Sequence, residues 1–115
     1  MRTWVFIVSL LACGFAQAAE RVALVVGNSA YQYAPELPNP LNDATAIKAV
    51  LERLGFDVVP AFDQTGNDMR NTLQAFYRKL SGANVALFFY AGHGLQHNGQ
   101  NYLLPVDAKL ETEGI

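Results

Sequence analysis

The chain has 115 residues, 51% of them hydrophobic, with 8 Lys and Arg against 10 Asp and Glu and a formal net charge of −2. That is enough apolar material for the core of one small domain, or for part of a larger one. Charge this sparse and this balanced excludes a nucleic-acid binder, which carries a basic patch, and the chain has no charge run, low-complexity tract or internal repeat.

The first 19 residues, MRTWVFIVSLLACGFAQAA, stand apart. Arg2 supplies a positive start, Trp4 to about Ala12 an apolar stretch, and Ala16-Gln17-Ala18 a small-residue cleavage pattern. The stretch is shorter than the roughly 20 apolar residues of a membrane-spanning helix. It is expected to be a cleaved export signal over residues 1–19, giving a periplasmic or secreted protein with no stable membrane span. Two other readings are a buried first element and a lipoprotein signal at Leu10-Leu11-Ala12-Cys13, though leucine before the alanine fits a lipobox poorly. Cleavage removes Cys13, the one cysteine of the chain, so the mature domain has no disulfide and must be held by its core.

RVALVVGN, residues 21–28, is a short apolar run ending in Gly-Asn and predicts a strand buried on both faces. A loop rich in turn formers follows, SAYQYAPELPNP. In NPLNDATAIKAVLERLGF, Asn39 is the expected N-cap with Pro40 at the first helical position. Leu41, Ala44, Ile47, Val50 or Leu51, and Leu54 recur at helical spacing, and Gly55 stops the helix. FDVVPAF is a second short strand. TGNDMRNTLQAFYRKLSG is a second amphipathic helix, with Met69, Leu73, Phe76 and Leu80 on its apolar stripe. NVALFFYAG is a third strand, expected to be fully buried. Asn98-Gly99 in LQHNGQNYLLP is the signature of a type I′ hairpin.

The order β-α-β-α-β-hairpin predicts an α/β fold, an open, mostly parallel sheet flanked by helices. Such sheets bind ligands just beyond the carboxyl ends of their strands, where Gly27-Asn28 and Gly92-His93-Gly94 both fall. Glycine on each side of His93 lets an extended substrate approach the imidazole and leaves backbone N–H groups open to an oxyanion. Histidine is the usual general base or acid near neutral pH. The alternative is an inert turn histidine bonded to backbone.

Two other chemistries fit less well. His93 and His97 are four apart, a spacing that gathers metal ligands only on a helix, and the surrounding glycines argue against one. No metal or cofactor is therefore expected. VVGNSAY lacks the second glycine and the Gly-Lys-Ser/Thr of a phosphate loop.

RVALVVGNSAY, LPNPLNDATAIKAVLERLGFDV and VALFFYAGHGLQHNGQNYLLPVDA together resemble the N-terminal, p20-like part of a bacterial caspase-like (metacaspase-type, peptidase C14) domain, over about residues 20 to 112. The resemblance implies a cysteine endopeptidase fold, with a peptide or protein as substrate. His93 matches the family's catalytic histidine, and the Gly94 N–H its oxyanion donor. Asn42-Asp43 matches a pair that lends an acid to the pocket for the residue before the cut, which would favour Arg or Lys there. Asp43 has an equally good reading as a helix-start acid that caps and complements the dipole. Ala91 stands where metacaspases often carry serine in the same pocket.

The nucleophilic cysteine of caspases lies roughly 50 residues beyond the histidine. This chain reaches Ile115, after KLETEGI, without one. The preferred explanation is that residues 20–115 form the first part of a longer domain, whose C-terminal remainder supplies the thiol and covers the last strand. The alternative is a short, non-catalytic caspase-like module that binds partners or regulates a complete relative. A flavodoxin-like small-ligand domain is a third reading.

Overall fold

The computed structural model describes residues 20–110. The expected export signal, its cleavage site and Cys13 lie outside the described residues. Seven elements follow in order: β1 (Arg21–Gly27), α1 (Pro40–Arg53), β2 (Phe56–Phe62), α2 (Gly66–Leu80), β3 (Val85–Ala91), β4 (Gly94–His97) and β5 (Gln100–Leu103). β1, β2 and β3 form a parallel sheet in the order β2-β1-β3, and β4 and β5 a separate antiparallel hairpin.

β1 is central, and Val22 to Gly27 are all buried. Side chains alternate across a strand, so the run VALVV divides its residues between two cores. Ala23 and Val25 pack with Ala44 and Leu51 of α1, while Leu24 and Val26 pack with Ala61 and, from α2, Met69 and Phe76. A continuous apolar run is the pattern a strand covered on both faces requires.

The helix ends follow local chemistry. Gly55 takes a positive φ of 83° just past α1, as expected for a helix stop. Asn39 stands at the N-cap but makes no side-chain cap bond; its φ of −100° and ψ of −28° are already helical. Ser29 from the preceding loop does that work, its Oγ accepting from the Leu41 N–H at 3.0 Å. α2 opens with a reciprocal capping box between Thr65 and Asp68. Asn98 and Gly99 take φ values of 50° and 74°, giving the hairpin turn its sequence predicts.

β3 is where the expectation of full burial gives way. It pairs with β1 on one side and stands at the sheet edge among the described residues, with Val85 and Phe88 exposed. α2 packs over β1 and β2 and leaves that face of β3 open. As a result Leu73, expected in the core with the rest of its stripe, is 45% exposed, and no residue of α2 is fully buried. Among the described residues β2 holds the opposite edge, a place that tolerates Pro60. No helix among the described residues is long and apolar enough to cross a membrane.

Candidate active site

β1 and β3 run parallel in a register that sets Gly27 beside Ala91, so both strands end at one rim. Gly27 admits α1 to that rim. A Cβ there would lie 2.5 Å from the Ala44 Cβ and 2.9 Å from the Pro40 carbonyl oxygen. The first turn of α1 therefore sits directly against the end of β1, carrying Asn42 and Asp43, both exposed. Ala91, Asn42 and Asp43 thus meet at the same end of the sheet as His93. Asn42 Nδ2 donates to the Pro38 carbonyl at 3.3 Å.

The rim loops are tied by side chains. Asn28 is 1% exposed; its Nδ2 donates to the Leu104 carbonyl and its Oδ1 accepts from the Gln64 N–H, each at 3.2 Å. Asp63 Oδ1 accepts from the Ser29 and Ala30 N–H groups at 2.7 and 3.0 Å. Asp63 has a φ of 49°, a left-handed conformation that aspartate reaches more easily than most residues. These bonds fix the start of the loop that carries Tyr31 and Pro35. The segment after β5 crosses the same rim, with Gln32 N–H donating to the Val106 carbonyl at 2.9 Å and Gly66 N–H to Asp107 Oδ1 at 2.8 Å.

His93 follows β3 and Gly92, and its residue is half-buried at this rim. Its ring meets the edge of the buried Tyr31 ring, with centroids 4.6 Å apart and planes at 61°. His93 Nε2 lies 2.8 Å from the Pro35 carbonyl oxygen. A carbonyl only accepts, so Nε2 must carry the proton of the neutral ring. The lone pair of Nδ1 is then left to receive a proton from elsewhere. The backbone on either side is held by phenols. His93 N–H donates to Tyr31 Oη at 2.8 Å, and Tyr90 Oη donates to the His93 carbonyl at 2.6 Å. Burial, with the neighbouring Tyr31 hydroxyl, pushes the Tyr90 hydroxyl above the ordinary tyrosine range.

Gly94 opens β4 opposite Leu103. Hydrogen-bonded and non-bonded pairs alternate along an antiparallel ladder. Leu104 N–H donates to the His93 carbonyl at 3.1 Å, which makes Gly94–Leu103 a non-bonded pair and directs the Gly94 N–H away from β5. His97 lies at the other end of β4, beside the turn. The described surface holds hollows at both ends of the sheet. One of about 310 Å³ is lined by Asn28, Met69, Leu73, Phe88, Tyr90 and Leu103 among others, on the open face of β3. Another, of about 430 Å³, lies at the opposite end of the sheet, between Arg21, Gly55, Asp57 and Lys79.

An imidazole with one nitrogen fixed and the other free, next to an outward N–H, has the geometry that proton transfer beside a developing oxyanion requires. Four contributors to it have no local signature in the sequence. Tyr31, Pro35, Asn28 and Asp63 act through partners 33 to 76 residues away, and a loop tyrosine or proline looks alike whether or not such a partner exists.

Residues 20–114 match the Caspase domain family, Peptidase_C14. The chain is 38% identical over 91 residues to mucosa-associated lymphoid tissue lymphoma translocation protein 1 of Homo sapiens, a match covering 79% of this chain and 11% of that protein. It is 37% identical over 91 residues to the homolog of Mus musculus, with the same coverage. The chain thus spans about a tenth of the length of these mammalian relatives, and neither match singles out a bacterial or metacaspase-type branch. A match over every described residue, on a parallel α/β sheet with its hairpin after the third strand, settles the family: this chain belongs to the caspase domain family.

Proposed function

We propose that this chain supplies the histidine half of a cysteine endopeptidase site, with His93 as the proton-transfer residue and the Gly94 N–H as an oxyanion donor. The observation that carries this reading is the Pro35 carbonyl 2.8 Å from His93 Nε2, which leaves Nδ1 as the free base at an open rim. A thiol from the C-terminal remainder of the domain would give its proton to Nδ1. The thiolate would then attack the substrate carbonyl to form a thioester, and the imidazolium would protonate the departing amine. Water would hydrolyse the thioester in the second half-reaction.

The metacaspase-type pocket is part of the same proposal. Asn42 and Asp43 on the first turn of α1, together with Ala91, would line the pocket for the residue before the cut. The exposed Asp43 carboxylate would select Arg or Lys by charge pairing. The open edge of β3, with Phe88 half-exposed, would receive the remainder of the domain. The signal-like residues 1–19 support action outside the cytoplasm, and the N-terminal sequence of the protein recovered from the cell envelope tests that part.

The deciding experiment compares Arg-terminated with Asp-terminated fluorogenic peptides on the protein expressed from its intact reading frame. Cleavage after Arg that disappears in His93→Ala, and a preference for Arg that falls in Asp43→Asn, is the expected result. Peptide binding without turnover, unaltered by His93→Ala, would instead establish the non-catalytic module.

A further inference from the structure

His93 and Leu104 face each other as the next rung of the β4–β5 ladder, beyond Gly94 and Leu103. A hydrogen-bonded rung has two bonds. One is present, from the Leu104 N–H to the His93 carbonyl at 3.1 Å. The other is open, with a hydroxyl inserted: His93 N–H donates to Tyr31 Oη at 2.8 Å, and Tyr31 Oη donates to the Leu104 carbonyl at 2.9 Å. Tyr90 Oη flanks the closed bond, donating to the His93 carbonyl at 2.6 Å and accepting from the Leu104 N–H at 3.2 Å. The two phenols come from different elements, the β1–α1 loop and the end of β3, and their hydroxyls lie 3.3 Å apart.

Gly92 completes the arrangement. A Cβ there would lie 2.6 Å from Tyr31 Oη and 2.8 Å from Tyr90 Oη, so only glycine leaves space for both. Each hydroxyl therefore spends one bond on a peptide group flanking the His93 Cα and the other on Leu104. A tyrosine whose role is only to fill a core needs some partner for its buried hydroxyl, but it does not need the peptide groups on either side of one histidine.

We propose that Tyr31 and Tyr90 are positioning residues for His93: the wedged hydroxyl splays the rung so that the imidazole turns out to the Pro35 carbonyl with Nδ1 free. This deepens the peptidase reading above and rests on it. Without the Tyr31 hydroxyl, the His93 N–H closes directly on the Leu104 carbonyl and carries the ring off Pro35. Without the Tyr90 hydroxyl, the second peptide group loses its clamp.

The test uses Tyr31→Phe and Tyr90→Phe, each of which removes one oxygen and keeps the ring. In the full-length protein each is expected to lower kcat by about 10- to 100-fold, the cost of a misplaced catalytic group, with KM within about two-fold of the parent. Ring-nitrogen NMR shifts of His93 give a second reading independent of turnover. The unsubstituted protein should show the Nε2–H tautomer, and Tyr31→Phe an averaged mixture. An Nδ1–H tautomer in the unsubstituted protein overturns the inference without any variant having to fold. So does unchanged kcat in both variants, or a loss confined to KM. His93→Ala run alongside separates the two levels. Activity retained there removes the peptidase reading and this inference with it, whereas an inactive His93→Ala beside fully active tyrosine variants removes only this inference.

Discussion

Asn28 and Leu104, 76 residues apart, are joined by a buried hydrogen bond from the Asn28 amide to the Leu104 carbonyl at 3.2 Å. The same side chain accepts from the Gln64 N–H, and the Asn28 N–H donates to the Ala91 carbonyl at 2.9 Å. One residue therefore links the ends of β1 and β3, the entry to α2 and the segment after β5. Asn28→Ala leaves the Gln64 N–H without its acceptor and takes one of its donors from the Leu104 carbonyl, which keeps Tyr31 Oη, and is expected to cost about 1–3 kcal/mol. A urea denaturation midpoint unchanged from the parent would contradict this.

Gly92→Ala sets a methyl group against two hydroxyls at 2.6 and 2.8 Å. Relief requires the phenols or the turn to move, at an expected cost of about 1–3 kcal/mol. Because the displaced atoms are those that hold His93, the turnover proposed for His93 should fall by more than the loss of folded protein explains. Titrating the folded fraction and the turnover on the same sample separates the two.

Asp63 offers a contrast between two substitutions. Asp63→Ala deprives the Ser29 and Ala30 N–H groups of their acceptor and puts alanine at a φ of 49°. The expected loss is about 1–3 kcal/mol. Asn keeps an Oδ1 acceptor and tolerates the left-handed backbone, so Asp63→Asn should retain most of the parent's thermal stability. Equal losses in the two variants would show that the carboxylate charge, and not the acceptor, is what matters.

Tyr90 predicts alkaline behaviour. An unfolded tyrosine ionises at about pH 10, while burial holds the folded Tyr90 hydroxyl above that. Below the unfolded value both states keep the proton and the stability is intact. Above it the unfolded chain releases a proton that the folded chain retains, so stability falls as pH rises. Urea midpoints measured from neutral pH into the alkaline range should decline, and Tyr90→Phe should flatten the decline.

The open edge of β3 makes a prediction about association. Phe88 is 50% exposed beside Leu73 and Leu103, which are also exposed. Phe88→Lys should reduce self-association of this chain with little change in its unfolding midpoint, since lysine protects a strand edge. Light scattering at rising concentration reads the difference.

Periodicity and turn chemistry made most of this fold legible. The run VALVV, the helical spacing of Ala44, Ile47 and Leu51, Gly55 past a helix end and Asn98-Gly99 in a hairpin each act through neighbours within a few residues. The place of His93 at the rim, just past β3, was legible for the same reason, since its glycines are adjacent. Burial was less so. Phe88 and Leu73 carry apolar side chains that lack cover among the described residues, and composition alone does not reveal which neighbour is present. Asn39 has the right residue type for a cap, yet its place is taken by Ser29, which only the folded loop brings to Leu41. The supports of the site, Tyr31 above all, depend on partners on distant elements, and no periodic pattern encodes them.

The central place of β1 bears on how the protein is made. Among the described strands it is synthesised first, yet its two flanking partners are Phe56–Phe62 and Val85–Ala91. At about 5–20 residues per second on the ribosome, its second flank stays vacant for on the order of several seconds after it emerges. Throughout that interval the nascent chain presents Val22 to Val26 as a sticky ribbon, which makes this stretch a natural landing point for a holding chaperone.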